Sequence, residues 1–322
     1  MHTSGQSKAR QVEIRSDGAP QVKIASVMTV RNEVDVLPLN IAYHRSIGIT
    51  DFWIVDNGST DGTTSFLREF ANANPWLRWR SEPGAFHQSE FITAMAQEAF
   101  RSGAEWIVPA DADEFWSVEI GQLAEVLARS DAGALVCQVQ NFVQDRRVTH
   151  DPPSALLTMT HRAEQRGTAA SARELVESGA IAFVEIVYPP KVVSRATSSL
   201  IIHGGNHSVD GAEGRAEPSG KLSVLHAPIR SLARLELLAE HGRRSAEANP
   251  NPEHGWHVRR WAELESLGLL ASDWATNSQR HGALTLADGQ RRVSRDLRLR
   301  EAVKPFVSIT DRLRARAVSI RR

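Results

Sequence analysis

Just after Gly103 and Ala104, the chain passes from an unbroken apolar run, Trp106-Ile107-Val108-Pro109-Ala110, straight into Asp111, Asp113 and Glu114. Five apolar residues in succession leave no polar face for water. They predict a strand buried on both sides, the kind found in a parallel sheet covered by helices. The carboxylates then fall where that strand leaves the sheet, the edge at which open α/β sheets bind ligands. Side chains on extended backbone repeat every two residues, so Asp111 and Asp113 are expected to point the same way. Two converging carboxylates suit Mg²⁺ or Mn²⁺ carrying a phosphate. Taken alone, Asp-x-Asp reads more simply as a polar turn, because short motifs recur by chance.

The preceding residues supply the context. Strands are expected at 22–30, 52–55, 76–80 and 106–110, separated by helices at 34–47, 63–72 and 86–100. Such alternation argues a parallel sheet with helices on both faces. Asn57-Gly58 and Asp61-Gly62 are turn signals, and Asp61 is placed to cap the helix that follows. Three of the strands end in polar clusters: Arg31-Asn32-Glu33, Asp56-Asn57-Gly58-Ser59 and Asp111-Ala112-Asp113-Glu114. Parallel strands bring all three to one sheet edge, where a ligand site explains them better than three unrelated loops.

Beyond residue 116, a helix is expected at 120–129 and strands at 134–143, 181–188, 191–193, 200–203 and 221–226. A poorly patterned insertion at 146–180 is suited to an acceptor or to mobility. A helix is expected at 231–243 and another at 256–270. The Arg-rich stretch 290–322 carries Val293, Leu297, Leu299, Val303, Phe306, Ile309, Leu313 and Val318 at a spacing near four. It reads as a helix packed on the domain; its basic face would also suit peripheral contact with an anionic membrane. The expected division is a disordered lead-in at 1–20, a catalytic domain at 21–248 with halves 21–116 and 117–248, and a helical extension at 249–322.

Charge and cysteine content narrow the class. Lys plus Arg and Asp plus Glu both number 38, which gives no support for a nucleic-acid binder. The single Cys137 excludes an intrachain disulfide framework and fits a reducing compartment. No apolar run is long enough to span a bilayer, and the N-terminus lacks the apolar core of a signal peptide. A cytoplasmic enzyme is the expectation.

In order and spacing, Val30-Arg31-Asn32-Glu33, then Asp56 to Thr63, then Asp111-Ala112-Asp113-Glu114-Phe115 resemble the family-two-like bacterial glycosyltransferases that use nucleotide sugars. The resemblance is strong over residues 24–116. It continues more weakly through Lys191, Gly205-Asn206-His207 and the stretch from His226 to Ser231. It implies a GT-A fold: a Rossmann-like, mostly parallel sheet flanked by helices. It implies a metal-dependent transfer of a sugar from a nucleoside diphosphate to a glycan or lipid-linked acceptor, as in cell-surface polysaccharide synthesis. By position, Arg31, Glu33, Asp56 and Asn57 would hold base and ribose. Asp111 would lie near the ribose or a metal-bound water, and Asp113 would ligate Mn²⁺ or Mg²⁺.

The chemistry agrees with those residue types. A sugar leaving a nucleoside diphosphate deposits negative charge on phosphate, which a divalent cation offsets as a Lewis acid. Mn²⁺ also accepts imidazole, and two histidines compete for that position. His226 is preferred because it ends a strand just before a helix; His207, after Gly204-Gly205-Asn206, is the alternative. An inverting transfer needs a general base, and Glu185, Asp145 and Asp210 are candidates the sequence does not choose among. Lys191 fits a solvated strand-edge charge better than a phosphate partner, and Trp116 is placed to stack on a sugar. A nucleotidyltransferase would be expected to carry a Gly-rich phosphate loop after the first strand, where Arg31-Asn32-Glu33 has no Gly. A non-catalytic relative would be expected to lose Asp113 or the late histidine.

Overall fold

The computed structural model describes residues 22–119, 121–248, 255–286 and 292–308. The expected lead-in at 1–20 therefore lies outside the described residues.

The first half follows the expected alternation: β1 (Ile24–Val30), α1 (Leu37–Ser46), β2 (Asp51–Asp56), α2 (Thr63–Ala73), β3 (Leu77–Ser81), α3 (Gln88–Arg101) and β4 (Trp106–Pro109). These strands run parallel in the order β4-β1-β2-β3. The two-residue strand period sorts the core. Ile24 and Met28 join one apolar cluster with Leu37, Ile41 and Ile54, whereas Ala25 and Val27 join another with Val55, Ile92 and Met95. Both sheet faces are thus covered, which is why the strands read as continuous apolar runs. Gly62 sits at φ 118°, immediately before α2, a conformation that costs glycine little and other residues much.

The second half departs from the expected parallel pattern. Its elements are β5 (Glu114–Val118), α4 (Leu123–Ala128), β6 (Ala134–Val143), β7 (His161–Ala163), α5 (Ala172–Glu177), β8 (Lys191–Arg195), β9 (Ile201–Ile202), β10 (Val209–Asp210) and β11 (Ala216–His226). β8 pairs antiparallel with β4 and β6, while β11 runs parallel to β6 and antiparallel to β5. The sheet is parallel in its first four strands and mixed beyond them.

Three expectations need correction. Asp111 and Asp113 are not on extended backbone: the Glu114 N–H closes a turn onto the Asp111 carbonyl at 3.0 Å. The strand expected at 181–188 holds a 3₁₀ turn, Phe183–Glu185, because its apolar residues pack into a separate core instead of alternating across a sheet. The insertion 146–180 contains a 3₁₀ turn (Pro153–Thr158), β7 and α5.

The separate core joins residues 143–186 to the C-terminal elements α6 (Leu232–Ala248), α7 (Trp256–Ser266) and α8 (Leu270–Asn277) through Ile229, Leu235, Trp261 and Trp274. The helices α6 and α7 approach so closely that a Cβ on Gly242 would lie 1.9 Å from the Val258 carbonyl oxygen. The helix expected from residue 290 is instead β12 (Val293–Arg295), paired with β7, followed by α9 (Arg298–Val303). Leu299, Val303 and Val307 enter the main core; Ile309, Leu313 and Val318 lie outside the described residues. No helix among the described residues is long and apolar enough to cross a membrane.

Candidate functional site

The carboxyl ends of β1 and β2 are stitched into one edge. Asn32, at φ 54°, donates its N–H to Ser59 Oγ at 2.9 Å and accepts from the Thr60 N–H at 2.6 Å. Asp56 is fully buried; its Oδ1 accepts from the Ser59 N–H at 3.0 Å and its Oδ2 from the Thr64 hydroxyl. Asn57 donates to the Glu82 carbonyl at 2.7 Å and accepts from Arg31 Nη1 at 3.4 Å. Asp61 accepts from the N–H and hydroxyl of Thr63 and from the Val34 N–H. The N-cap of α2 is Gly62 rather than the expected Asp61, which lies one residue earlier, bonds the first helical N–H and ties the two loops together. Asp56 is bonded within its own loop and, like Asn57, is fully buried, whereas Arg31 is half-buried at this edge.

The turn between β4 and β5 sends its carboxylates to different cations. Lys191, on β8 and only 2% exposed, bridges Asp111 Oδ2 at 2.9 Å and Glu114 Oε1 at 2.7 Å. Lys191 is therefore not the solvated edge charge expected of it. Asp111 Oδ1 also accepts from Gln88 Nε2 at 3.2 Å and from Asn206 Nδ2 at 3.5 Å. Burial works to raise the Asp111 pKa, but the charge and hydrogen bond of Lys191 hold it below the usual carboxylate range. Glu114, 1% exposed, is pushed up to about 7 by burial, against the pull of Lys191.

Asp113 faces a second network. Arg230 grips Asp35 through Nε at 2.7 Å and Nη2 at 3.0 Å, meets Glu33 through Nη2 at 2.8 Å, and reaches Asp113 Oδ2 through Nη1 at 3.5 Å. Arg234 closes on the other oxygen of Glu33 and donates to the Asn32 carbonyl. Glu33 is thus held by two arginines. Burial raises its pKa to about 7 against both guanidinium groups. Burial likewise raises Asp113 to about 6, against the pull of Arg230.

His226, at the end of β11, completes this side. Asn141 Nδ2 donates to the carbonyls of Val184 and Ile186, so its Oδ1 is the acceptor for His226 Nδ1 at 3.0 Å. That assigns the imidazole proton to Nδ1 and leaves a lone pair on Nε2, 3.8 Å from Asp113 Oδ1. Burial, helped by the charge of Lys191, lowers the His226 pKa to about 3, so the ring is neutral across ordinary pH. Tyr188 packs edge-on against it at 4.7 Å between centroids. His207 donates from Nδ1 to the Pro190 carbonyl at 3.1 Å, its Nε2 lies beside Gly205, and it feels the charges of Lys191 and Asp111.

The three base candidates are not gathered with Asp113. Glu185 folds back onto the Ala182 N–H at 2.8 Å inside the second core. Both Asp145 oxygens are taken by the Arg147 guanidinium. Asp210 sits on exposed β10, 2.8 Å from His203 Nε2. Trp116 is fully buried and donates to the Pro109 carbonyl, so it is core rather than a sugar platform. Sequence reasoning gave no role to Arg230, Arg234, Asp35 or Gln88, and named Glu114 only as a member of the acidic cluster. Arg230 precedes α6 and Arg234 lies in its first turn, so no helical period in the sequence links them.

Among the described residues, no three or more His, Cys, Asp or Glu side chains form a ready-made metal cage. Asp113 and His226 supply one carboxylate and one imidazole, a donor set that suits Mn²⁺ when phosphate oxygens complete the shell. Charge agrees. Lys191 faces two carboxylates, and Arg230 with Arg234 faces three. With every carboxylate ionised each network would be one positive charge short; burial answers this by raising Glu33 and Glu114 to about 7 and Asp113 to about 6, and a bound cation would compensate the same buried charge. The residues present therefore fit a divalent cation.

A profile of glycosyl transferase family 2 matches residues 27–187, half of the chain. No curated protein sequence matches significantly. Among solved structures, the chain is similar to S. aureus TarS 1–349, at 11% identity and a TM-score of 0.38 over 92% of this chain and 89% of that one. It is also similar to the mannosyltransferase PcManGT from Pyrobaculum calidifontis in complex with GDP-Man and Mn²⁺, at 16% identity and a TM-score of 0.36 over 96% and 90%. A putative glucose-1-phosphate thymidylyltransferase from Bacillus anthracis aligns at 16% identity and a TM-score of 0.28 over 39% and 57%. None of these likenesses reaches a TM-score of 0.5.

Proposed function

The chain belongs to glycosyl transferase family 2, and from that premise we propose that it moves a sugar from a nucleoside diphosphate to an acceptor hydroxyl with the help of a divalent cation. The observation that carries the metal is the pairing of Asp113 with His226. Two acceptor atoms, a carboxylate oxygen and a lone-paired Nε2, face one another at 3.8 Å, and a tautomer fixed by Asn141 leaves no proton between them. A hydrogen bond to the distal nitrogen is how proteins commonly orient a metal-binding imidazole.

In this reading Asp113 and His226 hold Mn²⁺ or Mg²⁺. When bound, that cation would act as a Lewis acid, offsetting the charge left on the diphosphate as the sugar departs. Lys191, Gln88 and Asn206 fix Asp111 beside it, toward the ribose or a bound water. Arg31 and Asn57 meet the nucleoside on the edge that Asp56 shapes. Glu33 acts through Arg230 and Arg234, keeping that edge in register with His226. The acceptor, by the family resemblance, is a glycan or lipid-linked hydroxyl.

The test is hydrolysis or transfer across a panel of nucleoside-diphosphate sugars, with Mn²⁺, with Mg²⁺ and with chelator. Turnover of at least one donor that stops on chelation is expected. Equal turnover in chelator would remove the metal from the account, and a protein that neither binds nor turns over any donor would remove the transferase.

A further inference from the structure

Arg230 is 1% exposed and lies four residues past His226, just ahead of α6. Its nitrogens are used unequally. Nε and Nη2 grip Asp35 at 2.7 and 3.0 Å, and Nη2 also meets Glu33 at 2.8 Å. Those bonds fix the plane of the guanidinium. Nη1 carries two N–H groups, yet its contact is a single 3.5 Å approach to Asp113 Oδ2, at the limit of hydrogen bonding. The other two buried cations differ. Lys191 meets Asp111 and Glu114 at 2.9 and 2.7 Å, and Arg234 closes on Glu33 and the Asn32 carbonyl. The side chain of Asp113 keeps 17% of its surface exposed against 11% for Glu33 and Asp35 and 1% for Arg230, so the loosely used nitrogen meets the most exposed of these three carboxylates.

Building on the function proposed above, we infer that Arg230 Nη1 is a binding group for the terminal phosphate of the nucleoside diphosphate. A guanidinium held rigidly by carboxylates on one edge presents its other edge with little ordering left to do. Planar N–H donors match phosphate oxygens well. The position is next to the carboxylate proposed to carry the cation, so one phosphate oxygen can meet the metal while another meets Nη1. A donor already in place where negative charge accumulates is the arrangement that favours departure of a phosphate leaving group. Asp35 is then a positioning residue, acting through Arg230.

The experiment is calorimetric titration of nucleoside, nucleoside monophosphate and nucleoside diphosphate, in the uridine and guanosine series at saturating Mn²⁺, into the parent and into Arg230→Lys. The substitution keeps the charge and removes the fork. Diphosphate affinity should fall about tenfold or more, as for loss of a charge-assisted hydrogen bond, while nucleoside affinity stays at the parent value. Equal losses for nucleoside and diphosphate would mean that Arg230 only supports the fold of the site, and unchanged diphosphate affinity would mean no contact; either overturns the inference. Should melting show that Arg230→Lys does not fold, Arg230→Gln with Asp35→Asn neutralises both members of the buried pair and is read in the same way. A parent that binds neither diphosphate would sink the function proposed above, and this inference with it, whereas failure confined to the variant sinks the inference alone.

Discussion

His226 Nε2 lies 3.8 Å from Asp113 Oδ1, and Asn141, anchored to two backbone carbonyls, turns the lone pair of that nitrogen toward the carboxylate. The two residues are 113 positions apart in the chain and meet because β11 pairs with β5, opposing His226 to Glu114. The pairing separates the two late histidines. His226→Ala should abolish most of the Mn²⁺-dependent gain in melting temperature that a nucleoside diphosphate gives, and His207→Ala should leave most of it. The reverse pattern would make His207 the ligand despite its contact with Pro190.

The pH dependence should follow Asp113 rather than the imidazole. His226 stays neutral until far below pH 6, because its pKa is lowered to about 3. Asp113 is raised to about 6 and must be a carboxylate to hold a cation. Mn²⁺-dependent nucleotide affinity should therefore be full above pH 7 and fall as the pH drops through about 6. Excess Mn²⁺ should move the midpoint lower, since metal competes with the proton. A midpoint that stays near 6.5 whatever the Mn²⁺ concentration would point instead to an ordinary histidine.

Asp56→Ala should cost both stability and nucleoside affinity. Both carboxylate oxygens are bonded within the loop, to the Ser59 N–H and the Thr64 hydroxyl, and leaving buried donors unmet costs about 1–3 kcal/mol. Denaturant unfolding and metal-free nucleoside titration should both register the change. Loss of affinity at full stability would instead mean that Asp56 touches the nucleoside directly.

Gly242→Ala tests the helical layer. The added Cβ would meet the Val258 carbonyl at 1.9 Å, so α6 and α7 must part, at a cost of about 1–3 kcal/mol for overpacking. Circular-dichroism melting should show a lower transition. A neutral result would mean that the two helices do not pack this closely.

The first half of the fold was legible because strands buried on both faces write themselves as apolar runs, and the polar clusters behind them mark one edge. Asp56, Asn57, Asp111 and Asp113 were candidates for that reason, whereas His226 was a candidate as the end of a later strand. The second half was less legible. Ile181, Phe183, Val184 and Ile186 have the composition of a strand, yet they turn into a core built with α6, α7 and α8. The turn at Asp111 to Glu114 hid the divergence of two carboxylates that extended backbone would have aligned. The buried ion network was illegible in principle from local pattern. Arg230 meets Asp35 and Glu33 across 195 and 197 residues, and no period in the sequence reports a contact of that range.

The central claim is that Asp113 and His226 hold a divalent cation that carries the nucleoside diphosphate. Calorimetric titration of UDP and GDP into the parent and Asp113→Ala, each with Mn²⁺ and with chelator, tests it most directly. The parent should bind at least one nucleotide far more tightly with Mn²⁺, and Asp113→Ala should bind it equally weakly in both conditions at a nearly unchanged melting temperature. Retention of the full Mn²⁺-dependent affinity by Asp113→Ala would contradict it.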